Sequence, residues 1–464
     1  MNVTPGYPRR NPCLSFWLQH TRNSLLQEHR TTETLPGKAD VTIIGSGLSG
    51  AATAYFLLTT GPEDKRPKSV VLLEAREACD GATARNGGHC RPDCYRDYRH
   101  YKANFGQEQA FKIIQNEMDT LNLTEEIIAK EGIDCDFWRD VAMDQRIADA
   151  LAASYAEFAA DGGPVEGIVM PILDPAQARE ETRCPSATVA YKSPSSSLFP
   201  RKLVLHLLTL CIEKYGMNLQ THTPVRRVVS GAGIRWRVET DRGVVETEKV
   251  VYATNAFTAT LLPEFLGHIY PFKGQCSAVV PPKAYAGKEM FRQTYGLAYS
   301  DYHRRDMQAY GDNKLKAPAT MADYLIQRPD GIVIFGGQRG SVPVERLLGN
   351  TDDTHADPER TAALREALPR HFEGWPKEDL AEGEGLVHAW TGIMGYTTDG
   401  FPYVGELQDK PGAFICAGHH GHGMARIMTC ARGLAALIQG GSWESTGLPE
   451  CFQPRSNRLG HASV

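Results

Sequence analysis

The chain has 464 residues, 50 Lys+Arg against 55 Asp+Glu, and a formal net charge of −5. Hydrophobic residues are 42% and charged residues 23%, an ordinary globular composition with length for about two or three domains; this excludes a disulfide-stapled miniprotein and a disordered chain. The small acidic excess, with no dominant basic block, argues against nucleic acid as the main partner.

Eleven Cys, an odd number without paired short spacings, and a polar start lacking an apolar run predict a reduced, intracellular, cytoplasmic chain. The end, Gly460-His461-Ala462-Ser463-Val464, is not a Ser-Lys-Leu peroxisomal address. The longest apolar helical run, 203–212, contains His206 and falls short of the roughly 18 residues of a membrane span, so no membrane partner is expected.

In chain order, residues 1–38 read as an extension broken by Pro5, Pro8, Pro12 and Pro36, with Phe16-Trp17-Leu18 expected to dock it on the body. Val41-Thr42-Ile43-Ile44 is a β-rich run. Gly45-Ser46-Gly47-Leu48-Ser49-Gly50 follows at once, and Leu48, Ala51, Ala52, Tyr55 and Leu58 then recur at helical spacing. After a polar loop, Val70-Val71-Leu72-Leu73 ends in Glu74, completing a βαβ unit. Helical patterns occupy 101–160 and 203–215. Residues 234–238 and 244–253 read as strands around the turn Asp241-Arg242-Gly243, and 270–340 reads as mostly β. The end repeats the opening pattern: strand Phe414-Ile415-Cys416-Ala417, turn Gly418-His419-His420-Gly421-His422-Gly423, then a helix with Met424, Ile427, Met428, Ala431, Leu434 and Ile438 on one face.

The three glycines of the first turn have separate physical tasks. Gly45 turns tightly out of the strand, Gly47 lets a pyrophosphate reach the backbone, and Gly50 lets the helix pack close to the sheet. Phosphates then rest on the amides that open the helix. Glu74 ends the next strand, where a carboxylate accepts bonds from both ribose hydroxyls and repels a 2′-phosphate. The motif by itself leaves FAD and NAD open.

The remaining segments bear on that choice. Gly81-Ala82-Thr83-Ala84-Arg85-Asn86-Gly87-Gly88-His89 follows the acid, Val250-Val251-Tyr252-Ala253-Thr254-Asn255-Ala256 is a later strand ending in small residues, and the Gly/His turn lies near the end. With the first turn, this arrangement resembles the D-amino-acid-oxidase-like (DAO) family of FAD-dependent oxidoreductases, and within it the gamma-glutamylputrescine-oxidase-like branch with fungal and bacterial members. The resemblance covers about residues 38–440.

The resemblance implies that Gly45, Ser46, Gly47, Leu48, Ser49 and Gly50 hold the FAD pyrophosphate, with Glu74, Ala75 and Arg76 at the ADP ribose. It places Thr83, Ala84, Arg85, Asn86, Gly87 and Gly88 beside the pyrophosphate and flavin, and Val225 at adenine. Thr254-Asn255 replaces the usual Thr-Gly. Gly392, Gly418, His419, His420, Gly421, His422, Gly423 and Met424 are expected to border the isoalloxazine. Sarcosine oxidases of this family attach flavin through a Cys near Trp390-Thr391-Gly392-Ile393-Met394; no Cys stands there, so non-covalent FAD is expected, with His89 and Cys90 keeping the question open. The substrate lysine of those enzymes is replaced by Ala425, with Arg426 next, and their oxygen-activating lysine by an apolar residue near Val333. Lys273 is then either a cationic substitute or a solvated lysine.

His388, Tyr324 and Trp390 are the candidates for positioning substrate, each set against a core role; Tyr299 and Tyr302 are weaker candidates for the same aromatic cage. Arg91, Arg96 and Arg99 read as a solvated face, with Arg91 close enough to the flavin loop to meet an acidic substrate. No metal is expected.

The fold class expected is α/β: a glutathione-reductase-type, Rossmann-like FAD domain with a mixed, largely antiparallel substrate domain. The boundaries expected are 39–100, 200–265 and 385–445 for the FAD domain, 101–199 and 266–384 for the substrate domain, and 446–464 for a tail. The activity expected is oxidation of a C–N bond of an amine or amino acid by hydride transfer to flavin N5, with O2 as acceptor. The alternatives are a flavin dehydrogenase with another acceptor, an NAD-dependent dehydrogenase and a flavin-binding module without turnover.

Overall fold

The computed structural model describes residues 4–145, 148–231, 233–297 and 323–459. Two sheets carry the fold. In the first, strands run in the order Tyr403–Glu406, Ala413–Ala417, Gly243–Tyr252, Lys38–Ile44, Val70–Leu73, Asn218–Gln220. The pairs from Ala413–Ala417 to Asn218–Gln220 are parallel, and Tyr403–Glu406 adds antiparallel. Val70–Leu73 is buried at every residue, as a strand covered on both faces requires.

Helices Leu48–Thr59, Pro200–Tyr215 and Ile427–Ile438 share one large core with the long helix Tyr98–Glu131 against this sheet. Leu48–Thr59 is rich in small residues and buried along almost its whole length, so it sits tightly between sheet and neighbouring helices. A second core gathers Val225 of strand Val225–Ser230, Trp236 and Val238 of strand Trp236–Thr240, and Ala259 and Leu262 at the short helix Thr258–Leu261.

The second sheet has the order Gly385–Thr397, Ile269–Val280, Val333–Gly336, Asp323–Gln327, Thr294–Leu297, Trp138–Gln145, Ala190–Ser197, His89–Cys90. It is antiparallel except where Thr294–Leu297 meets Trp138–Gln145. Helix Pro358–His371 closes a third core on it with Tyr285, Phe291, Tyr295 and Trp375. Two of these strands fall inside segments expected for the FAD domain. Gly385–Thr397 pairs along its length with Ile269–Val280, so the segment expected to begin the last part of the FAD domain at 385 belongs to the second sheet until Thr397. His89–Cys90 likewise pairs with Ala190–Ser197, inside the segment 39–100.

The N-terminal extension is packed, as its apolar residues predict. Phe16, Trp17 and Leu18 are buried in a short helix, Phe16–Gln19. Trp17 packs edge-on to Phe199 at 4.7 Å, in a core that also contains Cys276, Ile334 and Trp390 of the second sheet. Burying a side chain of this size contributes about 1.5–3 kcal/mol, enough to hold an arm that has little secondary structure of its own. At the other end, Phe452 is buried against Phe401, and Arg458 pairs with Asp399 at 2.8 Å. Among the described residues, no helix is long and apolar enough to cross a membrane.

Candidate functional site

A cavity of about 810 Å³ runs from the carboxyl ends of Lys38–Ile44 and Val70–Leu73 to the face of the second sheet. Its floor is the first glycine turn. Gly45 has φ 107°, and a Cβ there would lie 2.6 Å from the Ala253 carbonyl oxygen. A Cβ on Gly50 would lie 1.9 Å from the Gly45 oxygen. Gly47 caps helix Leu48–Thr59 without any side-chain cap, so the helix opens on the cavity through its backbone.

Glu74 stands at the end of its strand and lines the cavity. Its Oε2 accepts from the Ser46 N–H at 2.9 Å and the Ser46 hydroxyl at 2.6 Å, and its Oε1 accepts from the Arg76 N–H at 2.9 Å. Thr83 lines the cavity and receives the Leu48 N–H on Oγ1 at 3.0 Å, tying the second loop to the helix that opens the crevice. Ala75, Asn86, Gly87, Val225 and Thr254 also line it.

Asn255 explains its own place in the Thr-Asn pair. Its φ is 43°, a left-handed conformation that Asn tolerates nearly as Gly does, and its Oδ1 accepts from the Gly418 N–H at 3.1 Å. Ser46, Gly50, Ala84, Gly88 and Gly418 do not line the cavity; they shape the loops that do.

The far wall combines Gly392, Met394 and Tyr396 of the second sheet with the final turn, His419, His420, Gly421, His422, Gly423 and Met424. A Cβ on Gly392 would lie 2.7 Å from the Arg85 Cβ, so its absence lets the loop lie on the strand. His419 is buried and its pKa is lowered to about 3 by burial; its Nε2 meets the Ser49 hydroxyl at 3.0 Å. His420 accepts from the Thr397 N–H on Nδ1 at 3.0 Å and stacks on Tyr396 at 4.3 Å. Burial lowers its pKa to about 3, so it is neutral at neutral pH.

Tyr324 lines the cavity between two glycines: a Cβ on Gly87 or Gly336 would come within 2.6 Å or 2.3 Å of its ring. Its hydroxyl meets the Cys276 sulfur at 3.1 Å, and burial raises its pKa well above the usual value, so it stays protonated.

The other three candidates for the substrate side lie elsewhere. Trp390 shares the strand of Gly392, but it is buried in the core formed with the N-terminal arm; its Nε1 donates to the Arg85 oxygen at 2.9 Å. His388 stacks on Trp390 at 5.6 Å, and its Nε2 meets the Leu14 oxygen at 2.6 Å. Lys273 is buried, not solvated, beside a separate pocket of about 180 Å³ with Asp352 and His355; burial lowers its pKa. Tyr299 and Tyr302 lie outside the described residues.

Several arginines are placed by charge that the sequence does not locate. Arg91 and Arg96 are buried and line the cavity, in contrast to the solvated face expected; Arg99 is exposed and pairs with Glu157. Arg76 lines the cavity, and its guanidinium pairs with Asp80 at 3.1 Å and Asp353 at 2.8 Å, which ties the loop after Glu74 to the segment between Val333–Gly336 and Pro358–His371. Arg85 pairs with Asp80 at 2.7 Å and donates to the Thr391 oxygen at 3.1 Å. Arg426 donates to Glu117 at 2.8 Å and to the Gly400 oxygen at 2.9 Å.

Glu117 of the long helix carries no motif that marks it in the sequence. It is fully buried, meets His422 at 3.0 Å and accepts the Asp93 N–H at 2.6 Å. Burial opposes its charge, but His422 and Arg426 outweigh that and hold it below the carboxylate range. Only its helical register, Glu117 beside Leu121 on the packed face, could have marked it. Gly6, Tyr7 and Pro8 also line the cavity without any sequence signal.

Residues 40–437 match the family model described as FAD dependent oxidoreductase (DAO). The chain belongs to the DAO family of FAD-dependent oxidoreductases. It is 23% identical over 87% of its length to a Haemophilus influenzae protein described as "Probable oxidoreductase OrdL", covering 83% of that protein. It is 22% identical over 86% of its length to gamma-glutamylputrescine oxidoreductase of Escherichia coli, covering 84% of it. The crystal structure of glycine oxidase from Geobacillus kaustophilus superimposes with a TM-score of 0.66 at 21% identity, over 88% of this chain and 96% of that one.

The cavity residues of this DAO-family enzyme fit FAD. The cavity is long enough to run past both glycine turns, Gly47 brings no side chain of its own to the helix end, and Glu74 lines the cavity at the end of its strand. Among the described residues, no group of three or more His, Cys, Asp or Glu is placed to hold a metal.

Proposed function

We propose that this enzyme oxidises the C–N bond of an amine or amino acid with non-covalently held FAD. FAD, when bound, supplies the hydride acceptor at N5, and the products are an imine and, with O2 as final acceptor, H2O2. The observation that carries the reading is the single cavity that joins the glycine turn at Gly47 to the sheet face at Tyr324 and Met394.

In this reading Gly45, Gly47, Leu48, Ser49 and Thr83 cradle the pyrophosphate, Glu74 binds the ribose, and Val225 lies at adenine. Tyr324 positions the substrate with its protonated hydroxyl. Tyr396 and Met394 exclude water, which lowers the pKa of a bound amine by desolvation and favours the neutral form that reacts. Arg339 lies 5.9 Å from the Tyr396 ring and brings positive charge to that wall, which suits a substrate carrying an acidic group. Cys90 donates to the Met424 oxygen at 3.2 Å and burial raises its pKa to about 12, which supports non-covalent attachment.

An anaerobic screen of amines and amino acids tests the activity. An amine is expected to bleach the bound flavin; bleaching by 2-hydroxy acids with no amine active would overturn it. Acid precipitation is expected to release all flavin into the supernatant. A second reading is a dehydrogenase that passes electrons to a carrier: among the described residues lining the cavity there is no lysine to activate oxygen. Peroxide release on a reactive amine separates the two.

A further inference from the structure

The N-terminal arm reaches the cavity beside Val225. We infer that Gly6, Tyr7 and Pro8 form the outer wall of the adenine end of the crevice and govern how fast FAD leaves. These residues line the same cavity as Thr223, Val225 and Glu74, and they lie outside the segment 40–437 that matches the family.

The wall is attached at several points. The Tyr7 hydroxyl donates to the Arg226 oxygen at 3.1 Å, and the Thr260 hydroxyl donates to the Gly6 oxygen. The Arg226 guanidinium lies 4.6 Å from the Tyr7 ring centroid and is itself held by Asp241 at 2.9 Å. Farther along, the Arg9 oxygen accepts from Arg76 at 3.3 Å and the Cys13 N–H donates to the Asp353 oxygen at 2.8 Å. From Cys13 onward the arm is anchored in the core by Trp17.

The two halves of the arm therefore differ in strength. Residues 15–18 are fixed by burial, whereas the wall at residues 6–8 is held by partly exposed polar and cation–π contacts, each worth little in water. Such a segment opens locally without unfolding the protein. Opening exposes the adenine end only, so the wall slows release of a ligand that reaches there and leaves a shorter flavin unaffected.

This inference rests on FAD occupying the cavity. The test uses apoprotein of the full chain, a variant lacking residues 1–10, and Tyr7→Ala, with flavin fluorescence reporting binding and dissociation of FAD and FMN. FMN lacks the adenylate half and serves as the control. The expected result is an FAD dissociation rate raised about tenfold in the truncated chain, and less in Tyr7→Ala, with FMN affinity unchanged in both. Wild-type FAD dissociation in both variants overturns the inference, as does an equal loss for FMN and FAD, which would report general loosening. Wild-type protein that binds no FAD overturns the cofactor reading, and this inference with it.

Discussion

At Gly50 the added Cβ would lie 1.9 Å from the Gly45 carbonyl oxygen, a contact that backbone cannot relieve by a rotamer change. Gly50→Ala is therefore expected to destabilise by about 1–3 kcal/mol and to abolish FAD retention, read by thermal unfolding and by flavin content. Asn255 offers the opposite case. Because its φ is 43°, Asn255→Gly is expected to cost less than about 1 kcal/mol, losing the bond to Gly418 but no backbone comfort. Asn255→Val, which loses the bond and strains the backbone, is expected to cost more; equal unfolding midpoints for the two variants would contradict this.

Between elements, buried Glu117 and Arg426, with the half-buried His422, tie the long helix Tyr98–Glu131 to the final glycine turn. Removing Glu117 leaves the Arg426 charge buried without its carboxylate. Glu117→Ala is expected to destabilise by about 3–5 kcal/mol, measured by denaturant unfolding, and to displace the turn that lines the cavity. The arm belongs to this scale too. Trp17 was legible as a docking residue because an apolar cluster in an arm must be buried somewhere. Where it docks was not: Trp17 shares a core with Trp390, and the arm's Leu14 oxygen holds His388, so both residues are taken up by the arm rather than by the cavity.

For the molecule as a whole, pH acts through buried imidazoles. Burial holds His89, His371, His419 and His420 down at about 3, so all four are neutral in the folded protein where the unfolded chain takes up protons below about 6.5. Their contribution is fully present above about 6.5 and is lost as pH falls toward 3. Asp140 and Asp323, raised to about 7 and about 6 by burial, take protons in the folded state over the same interval and offset part of this loss. The unfolding temperature is expected to fall by a few degrees between about pH 7 and pH 5; a rise over that interval would contradict the assignment.

The local features were determined by sequence. A strand, a glycine turn, a helix and an acid lie within residues 41–74, and each requirement there is set by backbone geometry over a few residues, so Gly45, Gly47, Gly50 and Glu74 could be placed without a structure. Strand alternation likewise marked 234–238, and the reading of 270–340 as mostly β holds for its described residues, 298–322 lying outside them. What tertiary structure decided was which charges and faces meet. Arg91 and Arg96 look the same in sequence as Arg99, yet two are buried at the cavity and one is exposed, because burial depends on elements brought together from far along the chain. The same holds for strand Gly385–Thr397, whose sheet is chosen by its pairing partner, and for Gly6, Tyr7 and Pro8, which meet the crevice through contacts with Arg226 and Thr260, far along the chain.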